Sequence, residues 1–193
     1  MEKYRNFTAM DRKHVTALTG RVLLLLIVAG TWHCKDRKPQ AGSGQLIYKN
    51  ETQQAMTITL PDQTTVVLRP RTILEISKSF NINDRDVKLD GEAVFTAGSG
   101  GNHDLIVHTR NLHILVVKGQ FHVDAFASNA GEEVDLLSGK LKVTKSYHST
   151  TDNAEEILEG GDMVMINRDI DLMEKEKLNP TELEALEKKI SDR

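Results

Sequence analysis

The sequence predicts an all-β domain on three observations: apolar residues recur at every second position, turn residues interrupt them regularly, and no helical periodicity intervenes. Met56, Ile58 and Leu60, for example, alternate with threonine residues, which places one strand face on a core and the other toward solvent. Turn sequences such as PDQT, LDGE, GSGG and EGGD follow at intervals of roughly 8–12 residues, as in sandwiches, barrels and rolls. We therefore predict an antiparallel-rich β domain over residues 46–170, built as a two-sheet sandwich or roll, or as a solenoid-like array.

Length and composition fit one such domain with short appendages. The chain has 193 residues, 39% of them hydrophobic, and a formal net charge of -3. The predicted domain contains no basic stripe of the kind that nucleic acids require, so direct nucleic-acid binding is not expected. A single cysteine, Cys34, excludes an intrachain disulfide.

The N-terminal part of the chain is predicted to be a targeting or anchoring segment. Residues 1–21 are polar and basic-leaning, as in a short cytoplasmic segment or the n-region of a signal, and residues 22–33 contain the apolar run VLLLLIVAGTW. This run is shorter than the about 20 apolar residues of a spanning helix. Counting back to Val15 lengthens it, with Arg21 able to reach the lipid headgroups. Residues 34–45 have the composition of a charged, then Gly/Ser-rich linker.

Several interpretations of the N-terminal apolar helix stay open. It is a single-pass anchor with the N-terminus in the cytoplasm, a cleaved signal peptide, a lipoprotein signal ending at Cys34, or a buried helix of a soluble domain. The first three place the β domain outside the cytoplasmic membrane. We expect a single-pass protein of the inner membrane with its β domain in the periplasm, or, as the alternative, a domain exported after signal cleavage.

Residues 171–193 are predicted to be a C-terminal tail with a short amphipathic helix. Asn179 is a suitable N-cap, Pro180 suits the first helical position, and Glu182 completes a capping box. The apolar residues of this helix form one stripe: Leu183, Leu186 and Ile190.

Candidate chemistry in the predicted strands is limited. Three histidines, His108, His113 and His122, fall on consecutive strands and are out of phase with the core residues, so their imidazoles are expected on the solvent face. They lack HxH or HExxH spacing, and no metal site is predicted. Asp90 and Glu92 could form a carboxylate pair, but no nucleophile motif or phosphate loop accompanies them. We therefore predict that the protein is not an enzyme, has no catalytic residues and uses no cofactor.

Six short motifs follow one another along the predicted strands. They are LPDQT (Leu60–Thr64), RDVKLDGEAVF (Arg85–Phe95), LIVHT (Leu105–Thr109), VVKGQFHV (Val116–Val123), LLSGKLKV (Leu136–Val143) and LEGGDMV (Leu158–Val164). In this order they resemble the motifs of the FecR family, envelope regulators that partner extracytoplasmic-function sigma factors. The chain differs from the family pattern at Gln63, where the family usually has glycine, at Lys118-Gly119 and at Val94.

The resemblance implies structural roles for the motif residues. Gly91-Glu92-Ala93 resembles the family's signature turn, in which Gly91 supplies a backbone shape closed to other residues and Glu92 accepts hydrogen bonds from backbone or arginine, with Arg85 a candidate donor. The motif residues to which a structural role is assigned are Leu60, Pro61, Asp62, Thr64, Arg85, Val87, Leu89, Gly91, Glu92, Ala93, Phe95, Phe121, Val123 and Gly139.

The resemblance also implies a function. The protein is expected to be a transmembrane antagonist of an extracytoplasmic-function sigma factor that relays an envelope signal by protein–protein contact. Its expected partners are a sigma factor and an outer-membrane receptor or other envelope protein, with no small-molecule substrate. Relatives carry a longer cytoplasmic segment and a C-terminal module, so a truncated member is predicted. The alternatives are an exported β domain that binds a peptide, glycan or protein, and an enzyme-like domain that binds a metal or another ligand with the histidine face.

Overall fold

A computed structural model of the protein describes residues 44–191. The predicted anchor or signal at residues 22–33, the segment before it and most of the linker lie outside the described residues. Within residues 44–191, no helix is long and apolar enough to span a bilayer. Eleven strands and one helix are described: β1 (Gln45–Lys49), β2 (Met56–Thr59), β3 (Thr65–Leu68), β4 (Ile73–Ser77), β5 (Asp86–Thr96), β6 (Leu105–His108), β7 (Leu112–Ala125), β8 (Gly131–Lys145), β9 (Glu156–Glu159), β10 (Asp162–Asn167), β11 (Leu172–Lys177) and α1 (Pro180–Ser191).

All eleven strands belong to one sheet, which is antiparallel except for the β5–β6 pair. The all-β, antiparallel-rich prediction is confirmed, whereas the two-sheet arrangement is not what residues 44–191 show. The reason is the length of three strands. The first half of β5 pairs with β4 and β6 and its second half with β3 and β7, while β7 and β8 pair along almost their whole length. These strands run through both halves of the sheet and leave no break.

One hydrophobic cluster draws buried side chains from almost every strand. Phe95 and Phe121 face each other across the β5–β7 pair and stack with ring centroids 5.1 Å apart. A flat sheet could not bring side chains from β3 and β10 into one cluster, so the twisted sheet curls around its inner face. Seven motif residues lie in this cluster: Leu60, Val87, Leu89, Ala93, Phe95, Phe121 and Val123.

Two glycines lie opposite each other where β7 and β8 change register. Gly119 and Gly139 are direct partners, and their φ angles are 131° and 108°, in the region that favours glycine. A Cβ on either residue would collide with the backbone of the other strand, at Ser138 or at Lys118. Gly139 therefore permits close approach of the two strands beside a register shift.

The C-terminal helix α1 packs on the outer face of the sheet. Leu186 and Ile190 are buried against Val67 on β3 and Val94 on β5. The sheet itself continues through β11 to Lys177, beyond residue 170, because β11 pairs with β10 along its full length.

The predicted capping box of α1 is present. Asn179 Oδ1 accepts hydrogen bonds from the backbone N–H groups of Thr181 and Glu182, each at 3.0 Å. The Glu182 carboxylate in turn accepts the N–H of Asn179 at 2.7 Å. The first turn of α1 is therefore satisfied by its own side chains.

Asn179→Ala should destabilise α1 by about 1 kcal/mol, because two helix N–H groups lose their acceptor. Amide hydrogen exchange on the full-length chain measures this: α1 amides should exchange several-fold faster while β7 and β8 amides are unchanged. Thr181→Ala, in the same turn but without a side-chain hydrogen bond among the described residues, is the matched control. Equal exchange rates in both variants would contradict the cap assignment.

Candidate functional site

The first motif and Arg85 meet in a buried polar network. The Asp62 side chain is fully buried and the Arg85 side chain is 9% exposed, and Arg85 Nε donates to Asp62 Oδ2 at 2.6 Å. Asp62 also accepts hydrogen bonds from the backbone N–H of Thr64 at 2.9 Å and from its hydroxyl at 2.7 Å. A buried ion pair is stable only when its remaining donors and acceptors are satisfied, and this carboxylate meets that condition.

The same network holds the loop that follows β5. Arg85 Nη2 donates to the Gly98 carbonyl at 2.9 Å and Nη1 to that of His103 at 3.3 Å. Thr64 Oγ1 accepts the Gly98 N–H at 3.0 Å. Asp62, Thr64 and Arg85 therefore together fix the loop that follows β5.

Gln63, where the family usually has glycine, occupies the left-handed region with φ 68°. Its N–H donates to the Leu60 carbonyl at 3.0 Å, which closes the turn, while Pro61 is exposed beside it. The turn is thus made with a residue that bears a Cβ.

Gln63→Gly should raise the free energy of unfolding by up to about 1 kcal/mol. Relief of a non-glycine left-handed conformation gains about 1–2 kcal/mol, and the greater freedom of glycine in the unfolded chain offsets about 0.5–1 kcal/mol of it. The midpoint of urea unfolding measures the difference. Gln63→Ala keeps the Cβ and should leave the midpoint unchanged; a lower midpoint for the glycine variant would disprove the strain.

The segment Gly91-Glu92-Ala93 is not a turn, contrary to the sequence-based expectation. It lies within the continuous strand β5, paired on both sides. Gly91 has φ 125°, and a Cβ there would come within 2.6 Å of Thr72 Oγ1. That hydroxyl accepts the Glu92 N–H at 3.0 Å and donates to the Glu92 carbonyl at 2.9 Å. Gly91 thus leaves room for Thr72 to bond the backbone of the strand.

The Glu92 carboxylate contacts His122 and not Arg85, so the predicted Arg85 contact is wrong. Glu92 Oε1 lies 2.9 Å from His122 Nε2 and 3.6 Å from Lys189 Nζ of α1. The physical reason is strand geometry: Arg85 precedes β5 and extends toward Asp62, while Glu92 lies on the outer face beneath α1.

His122 is fully buried, which corrects the prediction of a solvent-facing imidazole. It does point to the outer face, but α1 covers that face. Its Nδ1 lies 3.0 Å from Asp135 Oδ2, and Lys189 Nζ lies 3.4 Å from its Nε2. We call His122, Glu92, Asp135, Glu133 and Lys189 the His122 cluster.

The charges of the His122 cluster shift one another. The hydrogen bond to His122 holds the pKa of Glu92 below its usual value despite burial. Burial lowers the pKa of His122, but the hydrogen bonds to Asp135 and Glu92 raise it by more. Burial raises the pKa of Glu133, and the neighbouring carboxylate of Asp135 raises it further. Asp135, Glu133 and Lys189 carry no local sequence signal, since only the strand register and the docking of α1 bring them to His122.

The other two histidines, His108 and His113, are direct partners on the paired strands β6 and β7. His108 Nδ1 and His113 Nδ1 are 2.7 Å apart, so one ring donates to the other, and His108 Nε2 lies 3.0 Å from Asp86 Oδ2. Burial, followed by the charge of His108, lowers the pKa of His113. The three histidines therefore do not form one group.

His108 and His113 border a groove of about 760 Å³, which is lined mainly by residues of β4, the first half of β5, β6 and β7. Besides these two histidines, its ionisable lining residues are four carboxylates and two bases: Glu75, Asp84, Asp86, Asp90, Lys88 and Arg110. The apolar side chain of Ile73 contributes to its wall. The lining of the groove therefore combines apolar and charged side chains.

Comparison with known proteins identifies a family and a shared fold. Residues 47–142 match the family model described as FecR protein. Over that segment the chain belongs to the FecR family. Among curated proteins, no sequence matches the chain.

Two solved structures share the fold. Both are crystal structures of a proposed anti-sigma factor from Parabacteroides distasonis ATCC 8503, at 2.50 Å and 1.65 Å resolution. Each gives a TM-score of 0.63, with 23% and 22% sequence identity, and they cover 74% and 72% of this chain. The chain spans 64% and 63% of the length of those two proteins.

Proposed function

We propose that the protein is a FecR-type regulator of an extracytoplasmic-function sigma factor. In this proposal it is a single-pass protein of the inner membrane, and its β domain takes up an envelope signal in the periplasm by protein contact. The observation that carries the proposal is the FecR match over residues 47–142, supported by the fold of the two similar proteins.

The polar geometry of the β domain supports regulation by contact rather than catalysis. Asp62, whose side chain is fully buried, and Arg85 are engaged with each other and with backbone groups. A network whose donors and acceptors are paired with one another holds the backbone in one conformation. Families of this kind are regulators, so the chemistry expected of the domain is recognition.

The acidic groove is the surface we propose for the envelope partner. Helix α1 covers the outer face at β3 and the second half of β5, whereas the groove beside the first half of β5 is open. Ile47 on β1 and Ile82, between β4 and β5, are exposed apolar residues. A partner segment with basic and apolar side chains would match this chemistry.

The double substitution Asp86→Lys and Asp90→Lys should reduce signal-induced, sigma-dependent transcription at least several-fold, because it reverses the charge of the groove. Transcripts measured in cells that express the full-length variant give the result. Glu174→Lys with Glu176→Lys, on the exposed strand β11, makes the same charge change away from the groove and should respond normally. Equal responses of the two variants would rule out the groove as the contact surface.

Co-purification tests the proposal for the whole chain. The full-length protein with a C-terminal tag is cross-linked in its native cells, purified from the membrane and analysed by mass spectrometry. An extracytoplasmic-function sigma factor should be recovered, and it should be lost when residues 3–14 are replaced by a Gly/Ser segment of equal length. Failure to recover a sigma factor with the full-length chain would contradict the proposal.

The open groove also favours a second candidate, an exported β domain that binds a peptide, glycan or protein without a cytoplasmic segment. Intact masses of the chain from membrane and periplasmic fractions separate the two. A membrane-bound, unprocessed chain supports the sigma-factor regulator. A soluble chain cut near Gly30 would leave no cytoplasmic segment and would support the exported domain.

A further inference from the structure

A row of residues crosses the outer face of the sheet beneath α1. Strand register places Val67, Val94, His122 and Asp135 side by side on β3, β5, β7 and β8. The two apolar members of this row pack against α1, while the two polar members form a hydrogen bond. The helix and the sheet therefore enclose an imidazole and a carboxylate together.

A second row lies beside the first and is entirely acidic. Glu92, Asp124 and Glu133 are direct neighbours on β5, β7 and β8. Like charges directly opposite each other on adjacent strands destabilise a sheet. Glu92 is compensated by His122 and Lys189, but these contacts lie on the Nε2 side of the imidazole.

On the Nδ1 side, one buried oxygen has no partner. Asp135 is 5% exposed, and its Oδ1 has no hydrogen-bond partner among the described residues, while its Oδ2 contacts His122. A buried carboxylate oxygen left without a partner is costly, and such a position commonly has an ion or an ordered water as its partner. The carboxyl groups of Glu133 and Asp135 lie within hydrogen-bond reach of each other, and they repel when both are ionised.

We propose that His122, Glu133 and Asp135 bind a divalent transition-metal cation. One ligand atom from each of the three residues lies within 4.8 Å of the others. Ligand atoms around tetrahedral Zn²⁺ are about 3.3 Å apart, given Zn–N and Zn–O distances of about 2.0–2.2 Å. Glu133 is only partly buried, so rotation of its side chain can supply the adjustment. Imidazole with carboxylates is a ligand set that suits Zn²⁺.

The surroundings of His122 fit the needs of a metal-binding imidazole. A coordinating histidine usually donates its other ring N–H to a carboxylate, which fixes the tautomer. Glu92 Oε1 is in that position, 2.9 Å from Nε2, when Nδ1 takes the metal. Coordination would replace the direct hydrogen bond from Nδ1 to Asp135. Lys189 faces Glu92 and the Nε2 side, where it balances the carboxylate.

Zn²⁺ binding by the full-length chain tests the site. The protein is purified free of metal in mild detergent, and native mass spectrometry and thermal unfolding are recorded with Zn²⁺ added. At a Zn²⁺ concentration about a hundredfold above Kd, the Tm of the wild-type chain should rise by about 5 °C or more. Glu133→Gln, which keeps the hydrogen bonds of His122, and His122→Gln should each remove one bound ion and the Tm shift.

A matched histidine variant serves as the control for Zn²⁺ that binds elsewhere in the chain. His108→Gln removes an imidazole from the His108–His113 pair and should leave binding and the Tm shift intact. Variants are compared with the wild-type chain because residues such as His33 and Cys34 could also take up Zn²⁺. The proposal is wrong if Zn²⁺ leaves the wild-type Tm unchanged, or if all variants bind the same number of ions as the wild-type chain.

Discussion

Asp62→Ala should lower the free energy of unfolding by about 3–5 kcal/mol, since it leaves the buried Arg85 guanidinium without its carboxylate. The Asp62 side chain is 0% exposed and that of Arg85 is 9% exposed, so water cannot replace the lost contact. The change also removes the acceptor of the Thr64 N–H and hydroxyl, which closes the turn before β3. Urea unfolding of the full-length chain measures the loss as a lower midpoint.

A double-mutant cycle distinguishes this ion pair from a general packing defect. Arg85→Met keeps much of the side-chain volume and leaves Asp62 buried without its cation, so it should also be strongly destabilising. The double variant should be less destabilised than the sum of the single variants, because both charges are then gone. Additive losses would show that the two residues act independently and would contradict the network described here.

Gly139→Ala should lower the free energy of unfolding by about 3 kcal/mol or more. The residue has φ 108°, and an added Cβ would collide with the Lys118 carbonyl of the paired strand. Backbone conformation alone accounts for about 1–3 kcal/mol, and the clash requires β7 and β8 to separate in addition. We expect a lower Tm together with faster amide exchange along both strands.

Gly161→Ala is the matched control for this effect. Gly161 also has a positive φ, 82°, but a Cβ there would meet nothing within 4 Å. Its substitution should therefore cost only the conformational term, about 1–2 kcal/mol. If the two alanine variants lose the same stability, close approach of the strands at Gly119 and Gly139 is not what requires glycine there.

Much of the fold could be predicted from local sequence. Alternation of apolar and polar residues is a property of each strand, so the strands and their inward faces, including Phe95, Phe121 and Val123, follow from the pattern. The capping residues of α1 lie within four positions of one another, and their contacts are confirmed for the same reason. The turn at Leu60–Thr64 is local as well, although its contact with Arg85 is not.

The His122 cluster could not be predicted, because α1 covers a face that alternation assigns to solvent. His122 does point outward, as its phase with Phe121 and Val123 requires, yet it is fully buried. One signal of double-sided burial was present. Val66-Val67-Leu68 and Ala93-Val94-Phe95 are continuous apolar runs, which are typical of strands covered on both faces. The assignment of Glu92 to Arg85 failed because strand register, and not sequence separation, decides its partner.

The single sheet also lies beyond local pattern. A period of two gives the same alternation in a sandwich and in a curled sheet. What distinguishes them here is the continuity of β5, β7 and β8, since Gly91, Gly119 and Gly139 adopt positive φ angles within the long strands without ending them. Gly91, which the sequence places in a turn, is therefore a point of close approach within a strand.

Transcript abundance after deletion of the chromosomal gene most directly tests the proposed role as a sigma-factor regulator. Cells with the gene, without it, and with the full-length chain restored are compared before and after envelope stress. We predict that the transcripts that depend on one extracytoplasmic-function sigma factor change together on deletion. Their abundance should return to the original level when the chain is restored. Transcripts that remain the same in all three strains under both conditions would contradict a role in sigma-factor regulation.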